Sequence, residues 1–99
     1  MYLKIHNNDG RTIIAACDEN LLGKIFEEKD GRCLDLKTYQ SFYKGSKITE
    51  KDLINALKHF SSVNLVGEGV VKAALRLNII NDEDIKHIKN IPYVQIYTV

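Results

Sequence analysis

The start of the chain leaves little choice of local structure. Asn7-Asn8-Asp9-Gly10 brings together the residue types that tolerate positive φ, and an alternating run lies on each side of it. Over residues 2–6, Leu3 and Ile5 fall on one face, with Tyr2, Lys4 and His6 on the other; residues 12–17 are more apolar throughout. This is a β-hairpin with one buried face. A hairpin alone is not stable in water, so it must find further strands and a covering layer within a chain of only 99 residues. That length suits one modest core, and residues 1–99 are read as a single α+β domain.

The covering layer is legible downstream. Thr49 and Asp52 form a capping-box pattern, Ile48 and Leu53 a hydrophobic staple, and Leu53, Ile54, Leu57 and Phe60 recur at helical spacing. Asp18 stands where its carboxylate can cap a brief helix over 19–22 that Gly23 stops. Residues 32–37 alternate around Leu34 and Leu36 as a short strand, and 39–45 read as a strand end or a loop. Residues 61–78 admit two readings. Either one helix runs throughout on the period of Val63, Val66, Val70, Ala74 and Leu77, or 63–65 is extended and the helix starts at Gly67. Asn81 caps a last short helix opened by Asp82-Glu83-Asp84 and ended by Asn90 and Pro92. The β-rich tail 93–99 adds a strand. The fold expected is a mixed or antiparallel sheet of the hairpin plus the C-terminal strand, packed on two to three helices.

Composition narrows the function classes. At 44% hydrophobic and 27% charged, the chain is globular rather than disordered. No apolar run approaches the ~18 residues a bilayer requires, and residues 1–6 lack the apolar block of a signal peptide, so a cytoplasmic protein without membrane contact is expected. A net charge of +1 argues against a general nucleic-acid coat. A local patch remains open over 24–47, where Lys24, Lys29, Arg32, Lys37, Lys44 and Lys47 are diluted by Glu27, Glu28, Asp30 and Asp35. Cys17 and Cys33 have no ligand spacing and no histidines clustered beside them, so neither a metal nor a cofactor is expected.

No single motif commits the chain to a chemistry. Cys17-Asp18 lies at a strand-to-helix junction, where free amides can favour a thiolate, but the commoner role there is a buried strand cysteine. If 61–78 is helical throughout, Asn64, Glu68, Lys72 and Arg76 form one polar stripe, with Glu68 well placed to pair with Lys72. Gly67 and Gly69 flank Glu68 and would let a backbone or ligand approach closely, or serve only packing. As a dinucleotide fingerprint the stretch fails, because Lys72 stands where the third glycine belongs. Phe42 and Tyr43 could stack on bases, although aromatics beside a sheet are more often core.

Taken in order, Cys17-Asp18 with Leu21-Leu22-Gly23, Phe42-Tyr43-Lys44-Gly45, Asn64-Leu65-Val66-Gly67-Glu68 and Ile91-Pro92-Tyr93-Val94-Gln95 resemble the archaeal domain of unknown function 424 family over nearly the whole chain. That resemblance implies a small archaeal cytoplasmic α+β protein with no assigned activity, in a family suspected of RNA binding. The family's closing motif usually reads Pro-His where this chain has Pro92-Tyr93, which counts against a shared enzymatic role. The function expected is therefore a non-enzymatic binding protein acting on RNA or a ribonucleoprotein, in translation or tRNA handling, with Lys and Arg on phosphates and aromatics against bases. The alternatives are a protein–protein adaptor or small homodimer joined through a sheet edge formed by 93–99, and a small enzyme using Cys17 and Glu68.

Overall fold

In the computed structural model, which describes residues 1–97, the hairpin has the register its turn demands. Strands β1 (Tyr2–Asn8) and β2 (Arg11–Cys17) pair antiparallel from Tyr2 opposite Cys17 to Asn8 opposite Arg11. Asp9 and Gly10, at φ of 50° and 76°, make the two-residue turn that matches strand twist.

After β2 the chain makes an excursion over one face of the sheet. It holds a single 3-10 turn (Glu19–Leu21), a small antiparallel ladder of β3 (Ile25–Glu27) and β4 (Cys33–Asp35), and helix α1 (Gln40–Tyr43). The strand expected over 32–37 is thus only β4, with β3 an unforeseen partner, and the stretch read as strand end or loop contains one helical turn. Two residues of β5 (Ser46–Lys47) return beside β1. Helix α2 (Glu50–Ala56) begins at Thr49 with the expected reciprocal capping box, but ends before Phe60.

Residues 61–78 follow the second of the two readings. Strand β6 (Ser62–Val66) is buried at every position, and helix α3 (Glu68–Arg76) starts past Gly67. The polar stripe therefore does not exist as drawn. Asn64 lies in the sheet, only Glu68, Lys72 and Arg76 share the helix, and Arg76 pairs with Glu50 on α2. The last helix also contracts, to the 3-10 turn Asp82–Asp84 with its Asn81–Asp84 capping box. Strand β7 (Lys86–Ile88) follows, turns through Lys89 and Asn90, both at positive φ, and pairs with β8 (Ile91–Tyr97). The tail strand thus begins two residues earlier than expected, and positions 98 and 99 of that expectation lie outside the described residues.

The main sheet has the order β5-β1-β2-β6-β8-β7. Among the described strands only β2 and β6 run parallel, so the sheet is mixed. Three helices complete an α+β fold. Alternation sorts the side chains. Ile14, Ala16, Val63, Leu65 and Val94 point to the face covered by α2 and α3, where Leu53, Leu57, Val70 and Ala74 complete the larger core. On the opposite face Cys17 and Val66 pack under Leu21 and Leu36 of the excursion, a smaller cluster flanked by Tyr2, Leu34, Tyr43 and Tyr93. Burial at ~25 cal/mol per Å² stabilises both layers, unequally.

Strand β8 is covered on its outer side by β7 only over Ile91–Tyr93. On its inner side it pairs with β6 over Tyr93–Tyr97. Val94 on it is 1% exposed, so removing the tail removes core.

Candidate functional site

The residues singled out from sequence fall in three places. Cys17, Asp18, Gly67 and Tyr93 gather where the parallel strands β2 and β6 end, a common ligand position in sheets with parallel strands. Here the position is filled from within. The Asp18 carboxylate accepts from Gly69 N at 2.9 Å and Val70 N at 3.1 Å, and so caps α3. It makes no side-chain bond to its own 3-10 turn, which corrects the expected local cap. A carboxylate at a helix N-terminus satisfies free amides and the dipole, so Asp18 takes the place an anion would. Both glycines follow from it. A Cβ on Gly67 (φ 117°) would lie 2.5 Å from Asp18 Cγ, and one on Gly69 would lie 2.9 Å from its Oδ1.

Cys17 is fully buried, and burial, followed by the neighbouring Asp18 charge, pushes its thiol up to about 11. The lowered pKa that a helix terminus would give is not found, because the thiol points into the apolar cluster. Tyr93 packs in the same cluster. The histidine on β1, His6, lies at the far side of the excursion, stacked on Phe42 at 4.6 Å with Nε2 donating to the Phe42 carbonyl at 2.9 Å. Among the described residues no set of three His, Cys, Asp or Glu is placed to hold a metal.

Glu68 and Lys72 line a second place, a cleft of about 350 Å³ between α3 and the β7–β8 hairpin, with Val71, Leu75, His87 and Pro92. Both side chains are exposed, and no Glu68–Lys72 ion pair forms among the described residues.

The third place is an open groove on the second face of the sheet. Lys4, Ala15, Asn64 and Gln95 stand in one row across β1, β2, β6 and β8, on the face that the excursion covers only in part. Ala15 is small and fully buried, which lets α1 settle over the hairpin. The helix is tied down there by Lys4 Nζ donating to Ser41 O at 2.9 Å and by the His6 bond. Between α1, β4 and strands β6 and β8 remains a groove of about 480 Å³, lined by Asp35, Tyr39, Phe42, Tyr43, Asn64 and Gln95. Asn64 is 8% exposed, and its side-chain amide has no hydrogen-bond partner among the described residues. Its amide atoms reach solvent in the groove, since no described side-chain nitrogen or oxygen is both buried and without a partner.

Phe42 and Tyr43, expected as stacking surfaces, are only half exposed and pack edge to face at 5.2 Å. Burial drives the Tyr43 hydroxyl up to about 12. They form the wall; the aromatic free to stack is Tyr39, 62% exposed at the rim. Sequence reasoning missed Tyr39, Asp35 and Gln95. The last had a signal, since Gln95 is polar between Val94 and Ile96 and so marks the second face of β8. Asp35 Oδ1 accepts from Thr38 N and Lys37 N, and the Thr38 backbone and side chain, followed by Lys37, hold its carboxyl below the usual carboxylate range.

The fold is that of a small mixed-sheet α+β protein with a self-capped helix at one end and an open polar groove on its second face, and such a fold does not by itself assign a function. The chain belongs to the family described as "Protein of unknown function (DUF424)", whose model matches residues 6–99. It is similar to a solved structure, "an uncharacterized conserved protein from Methanopyrus kandleri", at 25% identity and a TM-score of 0.79, over 99% of this chain and 90% of that one. A search of curated proteins found no match. No described helix is long and apolar enough to cross a membrane.

Proposed function

We infer that this chain is a non-enzymatic binding protein that takes an unpaired nucleotide of RNA, free or within a ribonucleoprotein, into the groove over Asn64. The observation that carries the reading is the Asn64 side-chain amide, without a protein partner among the described residues and facing the groove beside Gln95 and Tyr39. Side-chain amides match the donor–acceptor edges of bases, aromatic faces stack on unstacked bases, and the volume suits one nucleoside. Phosphates stay outside. Of the basic residues in 24–47, Arg32 is neutralised by Asp30 at 2.8 Å and Lys47 by Glu19 at 2.7 Å. Lys24, Lys29, Lys37 and Lys44 carry no ion pair among the described residues, and Lys37 and Lys44 flank the aromatic wall in the chain. The archaeal, cytoplasmic setting and a role in translation or tRNA handling go with this reading.

Filter binding to single-stranded RNA oligomers tests it. Binding should weaken with salt, each neutralised phosphate adding about −0.7 to the logarithmic slope. The Lys37→Ala, Lys44→Ala double variant should flatten the slope by roughly 1.4. Asn64→Ala should weaken affinity roughly tenfold without altering the slope. Absence of binding, or affinity indifferent to salt, removes the reading.

A second reading, a protein–protein adaptor or homodimer, rests on the outer edge of β8. Strand β7 stops opposite Tyr93, so Val94–Tyr97 pair on the β6 side alone among the described residues, and Tyr97 is 69% exposed. Concentration-dependent sedimentation of the intact chain would favour this reading.

A further inference from the structure

Resting on the RNA reading, the groove also carries a choice among bases. Its polar groups are not equivalent. The amides of Asn64 and Gln95 and the hydroxyl of Tyr39 each donate and accept, so they adapt to any base edge. Asp35 cannot. Its carboxyl is held below the usual carboxylate range by the backbone N–H and side chain of Thr38 and by the backbone N–H of Lys37. It is an acceptor-only group on the groove wall, with a fixed negative charge.

We propose that the groove selects bases bearing an exocyclic amino group (adenine, cytosine or guanine) and rejects uracil, with Asp35 as the discriminating residue and Asn64 and Gln95 as adaptable contacts. Uracil offers one ring N–H between two carbonyl oxygens, and placing either carbonyl against Asp35 sets acceptor against anion. An amino group at the same place makes a charge-assisted hydrogen bond. The same charge keeps phosphate out of the groove, so the base enters and the backbone remains at the rim with Lys37 and Lys44.

The test is a comparison of eight-nucleotide A, C and U oligomers on the full chain at one fixed salt concentration. The A and C oligomers should bind about tenfold tighter than U. An A oligomer rebuilt with unsubstituted purine, which replaces the amino group by hydrogen, should fall to the U level on the wild-type protein. Asp35→Asn should bring the three natural oligomers within about threefold of each other, chiefly by improving U. The purine oligomer decides the matter even where Asp35→Asn fails to fold. Equal binding of A, C and U, or no loss on purine substitution, overturns the base preference while leaving RNA binding intact. No RNA binding, or a groove that takes an arginine-rich peptide in an Asn64-dependent way instead, overturns both.

Discussion

Gly69 occupies the second position of α3, where alanine is ordinarily the better helix former by about 1 kcal/mol. Here an added Cβ would meet Asp18 Oδ1 at 2.9 Å and Met1 Cε at 3.2 Å. The methionine end can move; the carboxylate cannot without surrendering its bonds to Gly69 N and Val70 N. Gly69→Ala should therefore destabilise the wild-type chain. Asp18→Ala should cost about 1–2 kcal/mol by itself, as lost caps do. In the Asp18→Ala background the sign of the second substitution should reverse, with Gly69→Ala stabilising by about 0.5–1 kcal/mol. Gly67→Ala should remain unfavourable in both backgrounds, because φ of 117° strains any side chain. Urea denaturation of the four proteins in a double-mutant cycle measures this, and additive effects of Asp18→Ala and Gly69→Ala would refute it. The glycines around Glu68 are thus fitted to a carboxylate from within the chain.

The elements that sequence revealed are those with enough residues to show a period or a full cap. The β1–β2 hairpin and the Thr49–Asp52 capping box are both where expected. Strands β3 and β7 are three residues each, too short for alternation to register. Lys86-His87-Ile88 also looked like the end of a helix because Asn90 suits a helix stop as well as a hairpin turn. Strand β6 is only five residues long, and its Val63 and Val66 also fit the helical period that continues through Val70 and Ala74, so spacing did not separate strand from helix there. Asn64 was visible as a residue worth noticing, but its place opposite Gln95 depends on strand pairing that no local pattern encodes. The β7–β8 turn makes a test at this scale. Asn90 tolerates its φ of 63°, whereas Lys89 at 50° bears a side chain that disfavours it. Lys89→Gly keeps the backbone N–H that donates to Glu28 Oε1 at 2.6 Å and removes that strain. It should stabilise by about 0.5–1 kcal/mol, raising the melting temperature by several degrees. An unchanged or lower midpoint would mean that the turn is not strained.

At the scale of the whole molecule, the sheet is clad on two sides by layers of different strength. The α2–α3 side is purely apolar at its centre, whereas the excursion side buries Cys17 and packs Tyr43 against it. The pKa values of both groups are raised, Cys17 from 9.0 to about 11 and Tyr43 from 10.0 to about 12, each chiefly by burial. Below pH 9 both are protonated in folded and unfolded chains alike, and they give stability no pH dependence. Above it, the unfolded chain loses protons that the folded chain retains, so the stabilisation falls as pH rises through the folded values. Cys17 alone should account for roughly 1 kcal/mol lost by pH 10, since a tenfold difference in proton affinity between the two states corresponds to about 1.4 kcal/mol. Urea midpoints at pH 8 and pH 10 read this loss, and Cys17→Ala should show a smaller fall between the two than the parent chain. Lysines titrating in the same range affect both proteins equally, so the difference isolates the thiol. Identical falls would mean that Cys17 meets water readily, and that the excursion does not seal the face from which the Asn64 groove is built.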